Sequence, residues 1–177
     1  RTDLDRMPAT ECVDCVAGYY AEVGHSAQCE SCPEGRFAPT ARGSSLAACE
    51  MCETGQYSEQ ASNVCEFCSA GRADVDTDAS TPCTECPTGT YAGCAETSCN
   101  ECTAGQVDSD ANAATPCTEC AAGQYWQDRT GDAISTCVLC EAGKADVDLD
   151  STTQCVDCAI GEYAASGSSA CTICTVQ

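Results

Sequence analysis

The residues with the greatest capacity for chemistry are the cysteines. They make up 21 of 177 positions. Twenty of them stand in ten C-x-x-C pairs, from Cys12/Cys15 to Cys171/Cys174. Thiols at this spacing have three uses. A redox C-x-x-C needs a reactive thiolate in a βαβ setting with an apolar sheet; no such setting is spelled here, and ten copies would serve no catalytic purpose. Two successive pairs would supply four thiolates to Zn²⁺. Zinc modules of that type usually carry basic faces, whereas this chain has 7 Lys+Arg against 28 Asp+Glu. Structural disulfides are the favoured reading. They persist only in oxidising compartments, which places the chain outside the cell, secreted or at its surface.

The elements that position these cysteines are short. Nine of the ten pairs are followed, three residues after the second Cys, by Gly: Gly18, Gly35, Gly55, Gly71, Gly89, Gly105, Gly123, Gly143 and Gly161. The tenth has Gln177 there. Between pairs run 12 to 16 residues rich in Gly, Ser, Thr and Asp, enough for a two-stranded ribbon and little helix. Leu, Ile, Val and Phe together number 19. With a net charge of −21, such a chain cannot fold around a common apolar core, and cross-links must supply the constraint. The expected fold is a set of small disulfide-rich repeats. It would form an elongated rod or solenoid of short β-finger loops, with little regular secondary structure and no common hydrophobic core, each finger touching only its neighbours.

The fingers are of two kinds. In the aromatic kind the second residue after Gly is Tyr20, Phe37, Tyr57, Tyr91, Tyr125 or Tyr163. In the acidic kind it is Ala73, Val107 or Ala145, and an Asp-rich run follows. Residues 1–177 thus read as one continuous array of about ten fingers. Those in 12–67 are mostly aromatic, and those in 68–177 alternate acidic with aromatic. Both ends fall in mid-finger. Joining residues 175–177 to residues 1–11 of another copy completes a finger with Asp3 and Asp5 at the places of Asp146 and Asp148. The chain is therefore expected to be one period of something longer, joined through peptide bonds or by subunits docking head to tail, or else a piece cut from a longer array.

Two disulfide schemes remain. Interlocked pairing would join Cys12 to Cys29 and Cys15 to Cys32. A ladder, which is favoured, closes each finger at its base: Cys15–Cys29, Cys32–Cys49, Cys52–Cys65, Cys68–Cys83, Cys86–Cys99, Cys102–Cys117, Cys120–Cys137, Cys140–Cys155 and Cys158–Cys171. It explains the clustered finger lengths. It leaves Cys12 and Cys174 to be united across a junction between copies. Cys94 stands outside the pairs, as a free thiol or an intermolecular link.

The run C-x-x-C-x-x-G-x-Tyr, as at Cys83, Cys86, Gly89, Tyr91 and at Cys117, Cys120, Gly123, Tyr125, resembles the ephrin-receptor-like cysteine-rich repeats. These are related in style to EGF-like and tumour-necrosis-factor-receptor modules. The resemblance covers residues 12–174 and implies an extracellular disulfide rod. It says little about function, since such repeats occur in receptors, adhesins and large surface proteins of protists and algae.

Several other residues carry expectations. Asp74, Asp76, Asp78, Asp146, Asp148 and Asp150 would place alternate carboxylates on one side of an extended strand, as a solvated acidic face or a weak Ca²⁺ site. No other cofactor is required. Thr81 and Thr115, each before Pro, are candidate O-glycan sites, so glycans are candidate partners. The finger aromatics should pack on neighbouring disulfides as a thin spine, with Trp126 as an inter-subunit anchor or a cap on its own finger. With a single His, His25, and no core to desolvate a site, the chain is not expected to be an enzyme. Its acidity argues against nucleic acid, and no apolar run is long enough to insert into a membrane. The expected function is structural: a disulfide-stapled rod continuing head to tail with copies of itself into a filament, stalk or surface appendage. The alternatives are a receptor or adhesin ectodomain and a weak calcium-binding matrix module.

Overall fold

A computed structural model describes residues 14–22, 28–128 and 135–175. Its regular structure there is nine two-stranded antiparallel hairpins and one short 3-10 turn, Leu46–Ala48. These are small disulfide-rich β-finger repeats, numbered below from the first, Cys15–Cys29, to the ninth, Cys158–Cys171.

Each finger is built the same way. The opening Cys leads into a tight turn whose third residue is the repeat glycine. In the second finger Arg36 N–H closes the turn on the Pro33 carbonyl (3.2 Å), and Gly35 has φ of +77°. A turn that needs positive φ at this place favours Gly, which has no Cβ to clash. The next two residues form the first strand, Arg36–Phe37, and it pairs with Glu50–Met51. The second strand is therefore the x-x inside the following C-x-x-C. The pattern holds through Glu162–Tyr163 with Thr172–Ile173. The glycine carbonyl then accepts the N–H of the next opening Cys, from Cys32 on Gly18 (2.9 Å) to Cys174 on Gly161 (2.8 Å). Among the described residues only the seventh finger has a longer ribbon, Gln124–Gln127 against Thr136–Leu139.

The ladder is the observed connectivity. Cys15–Cys29, Cys32–Cys49, Cys52–Cys65, Cys68–Cys83, Cys102–Cys117, Cys120–Cys137, Cys140–Cys155 and Cys158–Cys171 are bonded. Cys86 and Cys99 are disulfide-bonded as well. In these eight rungs no pair bonds within itself, as a redox C-x-x-C would. Cys94 and Cys174 are free and exposed. Cys12 lies outside the described residues, as does His25.

What is buried is disulfide sulfur and alanine. Cys15, Cys32, Cys49, Cys68 and Cys140 are almost wholly covered, with Ala21, Ala38, Ala73, Ala92 and Ala145. Tyr20 packs with Cys32, Ala38 and Cys49, so the first finger's aromatic lies on the second finger's disulfide. The aromatic spine is only partial, however. Tyr57, Tyr91 and Tyr125 are half-buried and Tyr163 is exposed. The chain divides into two compact units. One takes in residues up to Glu85 with Gly93–Cys99; the other takes in Cys86–Ala92 and residues from Asn100 on. Every contact described below lies within one unit.

Candidate functional site

With no core, the chemistry of this molecule is concentrated where one finger meets the next. Counting from the turn glycine as position 0, three hydrogen bonds recur at these joints. First, in six of the described fingers the glycine N–H reaches position +3 of the following finger. Where that finger is aromatic, the acceptor is a backbone carbonyl: Gly18 on Ala38, Gly35 on Ser58 and Gly143 on Ala164, each 2.9 Å. Second, the +3 N–H donates onward to a carbonyl of the next finger's loop, as Ala38 on Ser62 (3.2 Å), Asp74 on Glu96 (2.9 Å) and Asp146 on Ser168 (3.1 Å). Third, the +6 N–H of an aromatic finger returns to the opening-Cys carbonyl of the finger before it: Ala61 on Cys32 (2.9 Å), Ala95 on Cys68 (2.8 Å) and Gly167 on Cys140 (2.8 Å).

Acidic fingers use the same joint with one change. Gly55 N–H is met by Asp74 Oδ2 (2.9 Å), Gly89 N–H by Asp108 Oδ2 (3.2 Å) and Gly123 N–H by Asp146 Oδ2 (3.0 Å). In the fourth finger the Asp74 carbonyl already accepts the Thr77 N–H (3.3 Å), and the side chain serves the glycine instead. A carboxylate is the stronger acceptor, since charge-assisted bonds exceed neutral ones. Asp74 and Asp146 are 4% and 5% exposed. They are therefore not members of a solvated face, although the sequence pattern placed them there. They are caps buried inside joints.

The rest of each acidic run is a turn rather than an extended strand. Thr77, Ala111 and Leu149, all at position +6, have positive φ of 55°, 53° and 57°, so the chain reverses where strand geometry was expected. Asp76 Oδ1 accepts Asp78 N–H (3.1 Å), and Asp78 Oδ1 accepts Ser80 N–H (3.0 Å). Thr81 hydroxyl closes the loop on Asp76 Oδ2 and the Asp78 carbonyl (both 2.9 Å). The same lock recurs with Asp110, Asn112 and Thr115 and with Asp148, Asp150 and Thr153. Such side-chain-to-backbone bonds let a residue other than Gly hold the left-handed turn. They also hold carboxyls below their ordinary range. For Asp76 and Asp148 the leading cause is the N–H two residues on, followed by the Thr hydroxyl. For Asp110 the Thr115 hydroxyl leads, and for Asp78 the Ser80 hydroxyl.

The remaining predicted positions fall as follows. The candidate calcium ligands Asp76, Asp78, Asp148 and Asp150 are exposed and occupied by these turn bonds. Asp74 and Asp146 are spent on glycine N–H groups. Among the described residues no cluster of three or more His, Cys, Asp or Glu is placed to hold a metal ion. The hydroxyls of Thr81 and Thr115, the candidate glycan sites, both lock their loops, so a glycan there would remove the lock's donor. Trp126 pairs across the ribbon with Cys137, and its indole N–H is buried without a partner. Two further ties cross the ribbons: Tyr20 and Tyr57 hydroxyls donate to Glu30 and Glu66 (both 2.9 Å). These bonds raise the phenol pKa values above the ordinary range.

The sequence reading also missed contacts between fingers two apart. A Cβ at Gly18 would run into the Ala61 carbonyl, one at Gly55 into Ala95, and one at Gly123 into Gly167. In each case position 0 of one finger lies under position +6 of the finger after next. The expectation that each finger touches only its neighbours is thus corrected: at these three places it also packs on the next but one. A signal was present in the spelling. Position +3 reads Ala21, Ala38, Ser58, Asp74, Ala92, Asp108, Asp146 and Ala164, interrupted only by Trp126. The joint admits a small side chain there, or an acceptor of the right reach.

Gly143 and Gly161 differ from Gly18, Gly55 and Gly123 in having open space beside the turn, although the Gly143 N–H still bonds the Ala164 carbonyl. A Cβ at either would meet nothing within 4 Å, and both glycines are exposed. Ile160 and Ile173 beside them are exposed as well. No helix among the described residues is long and apolar enough to cross a membrane. No protein-family model and no curated protein matches the chain.

Proposed function

We propose that this chain is a structural array of an extracellular assembly. Its fingers continue end to end, through further fingers of the same kind, into a filament, stalk or surface appendage. The reading rests on one observation: the same few hydrogen bonds join one described finger to the next again and again along the chain, a rule of joining that serves an array of any length. Eighteen bonded cysteines imply an extracellular or secreted setting. The exposed Cys174 thiol opens a tenth finger whose closing partner, by the ladder rule, is Cys12 of another copy. That bond would form by loss of two protons and two electrons to a disulfide oxidant. The role proposed is mechanical and not catalytic, in line with the resemblance to extracellular cysteine-rich repeats. Lateral adhesion is resisted by the net charge of −21.

The test is direct. Native material should show filaments or beaded stalks by electron microscopy, and non-reducing peptide mapping should yield a Cys12–Cys174 cross-linked peptide. A discrete particle with Cys12 joined to Cys29 would overturn the proposal. A monodisperse monomer that binds a protein ligand tightly would favour a receptor or adhesin ectodomain.

A further inference from the structure

The ladder fixes how this chain bears tension. We infer that it makes the chain a tether of limited length, in which each finger stores length that a dithiol reductant releases by opening the rung at its base. The inference deepens the mechanical role proposed above, and its use in the assembly rests on that reading.

A pull along the backbone takes the shortest covalent path. In the eight rungs above that path is the disulfide. The two cysteines of a rung lie 5.5 to 5.7 Å apart at Cα, while the loop they close spans 13 to 17 residues of sequence. From a closing Cys the path runs through the x-x of the C-x-x-C to the next opening Cys, as along Glu66-Phe67 between Cys65 and Cys68. The second strand of each ribbon is thus also the link that carries the load. At about 3.3–3.6 Å per residue, one rung and one link together reach roughly 16 Å. A freed loop of 13 to 17 residues reaches roughly 45–60 Å, so each opened rung releases roughly 40–55 Å.

The connectivity is what shields the loops. Bonds closed within each C-x-x-C would leave every loop in the load path, whereas each rung of the ladder takes its own loop out of it. The joint carboxylates Asp74 and Asp146 and the turn locks of Asp76 and Asp148 all lie in bypassed loops. They set how fingers stack, and when they part no finger lengthens. Release is a redox event. A thiolate of the reductant attacks one rung sulfur, and the other sulfur leaves as a cysteine thiolate. The reductant's second thiol then displaces the remaining sulfur. Two electrons and two protons pass to the rung, which becomes two thiols, and the reductant becomes a disulfide.

Single-molecule force spectroscopy on the full oxidised chain, held by its two ends, is the test. The wild-type chain should stretch to one limiting length and lengthen no further while its rungs are intact. Dithiothreitol added at constant force should then lengthen it in separate steps of roughly 40–55 Å, one for each rung opened. A variant with Cys140→Ala and Cys155→Ala, which removes a rung closing a separation of 15, should be longer by roughly 45 Å before any reductant is added and should lose one step. Steps of that size in the oxidised wild-type chain would put the loops in the load path and overturn the inference, as would an unchanged length after dithiothreitol. The readout comes from one molecule, so it succeeds or fails whether or not copies join into filaments.

Discussion

At the scale of single residues, the carboxylates divide by what they touch. Asp146 is buried against an amide, whereas Asp148, two residues on, is exposed and holds a turn. Asp146→Ala leaves the Gly123 N–H buried and unpaired, at a cost of about 1–3 kcal/mol. Urea unfolding under non-reducing conditions should show the loss; an unchanged midpoint would remove Asp146 from the joint. The glycines give a cleaner comparison. Gly123→Ala must force a Cβ into the Gly167 carbonyl, while Gly143→Ala enters open space at a similar φ. Both carry the left-handed penalty of roughly 1–2 kcal/mol. Gly123→Ala should therefore be the more damaging, and equal melting temperatures would show that fingers two apart do not touch. Conversely, Leu149 sits exposed at φ of 57°. Leu149→Gly should raise the thermal midpoint by relieving roughly 1 kcal/mol of backbone strain, less the extra entropy Gly gives the unfolded chain.

At the scale of the finger, aromatic and acidic sequences solve one problem in two ways. Both reverse at position +6 in the left-handed region, at Ala61, Ala95 and Gly167 in one kind and at Thr77, Ala111 and Leu149 in the other. The aromatic kind anchors that residue's N–H on the preceding finger. The acidic kind secures its loop internally through Asp and Thr. This makes acidic fingers sensitive to pH. Asp76, Asp78, Asp110 and Asp148 have folded pKa values below the unfolded ones, so the folded loops bind fewer protons. Their stabilisation is present above the ordinary carboxylate pKa and is lost as pH falls through the lowered values. Thermal stability should accordingly hold from neutral pH down to the ordinary carboxylate range and then decline. Thr153→Val should flatten that decline for the eighth finger, as read from loop amide exchange against pH. An unaltered profile would mean that the lock does not set the carboxyl's affinity for protons.

At the scale of the molecule, stability is distributed over rungs rather than gathered in a core. A disulfide closing a loop of this size stabilises by about 3 kcal/mol in the loop-entropy account, and each rung here closes 13 to 17 residues of sequence. Replacing Cys140 and Cys155 together by Ala should cost about that much and expose the eighth finger to protease. The first to third fingers should stay protected, because the hydrogen bonds described above run between fingers one or two apart. Loss of protection at residues 14–65 in that variant would argue for a single cooperative fold.

Much of this was legible without coordinates. Twenty paired cysteines, few large apolar residues and a glycine in every complete finger determine a disulfide-rich repeat of short ribbons, because no other source of folding energy is present in the composition. The even spacing of Cys140–Cys155 and its counterparts favoured the ladder but left interlocked pairing open. Only the tertiary structure decided which atoms meet between fingers. The pattern of Asp74, Asp76 and Asp78 reads as three equivalent carboxylates, yet one is a buried cap and two are turn-makers. Spacing along a chain does not state which carbonyl a neighbouring turn has already engaged. Likewise, Gly18 under Ala61 and Gly123 under Gly167 are contacts across two fingers. They are set by how thickly the loops stack, and a one-dimensional repeat does not encode that distance.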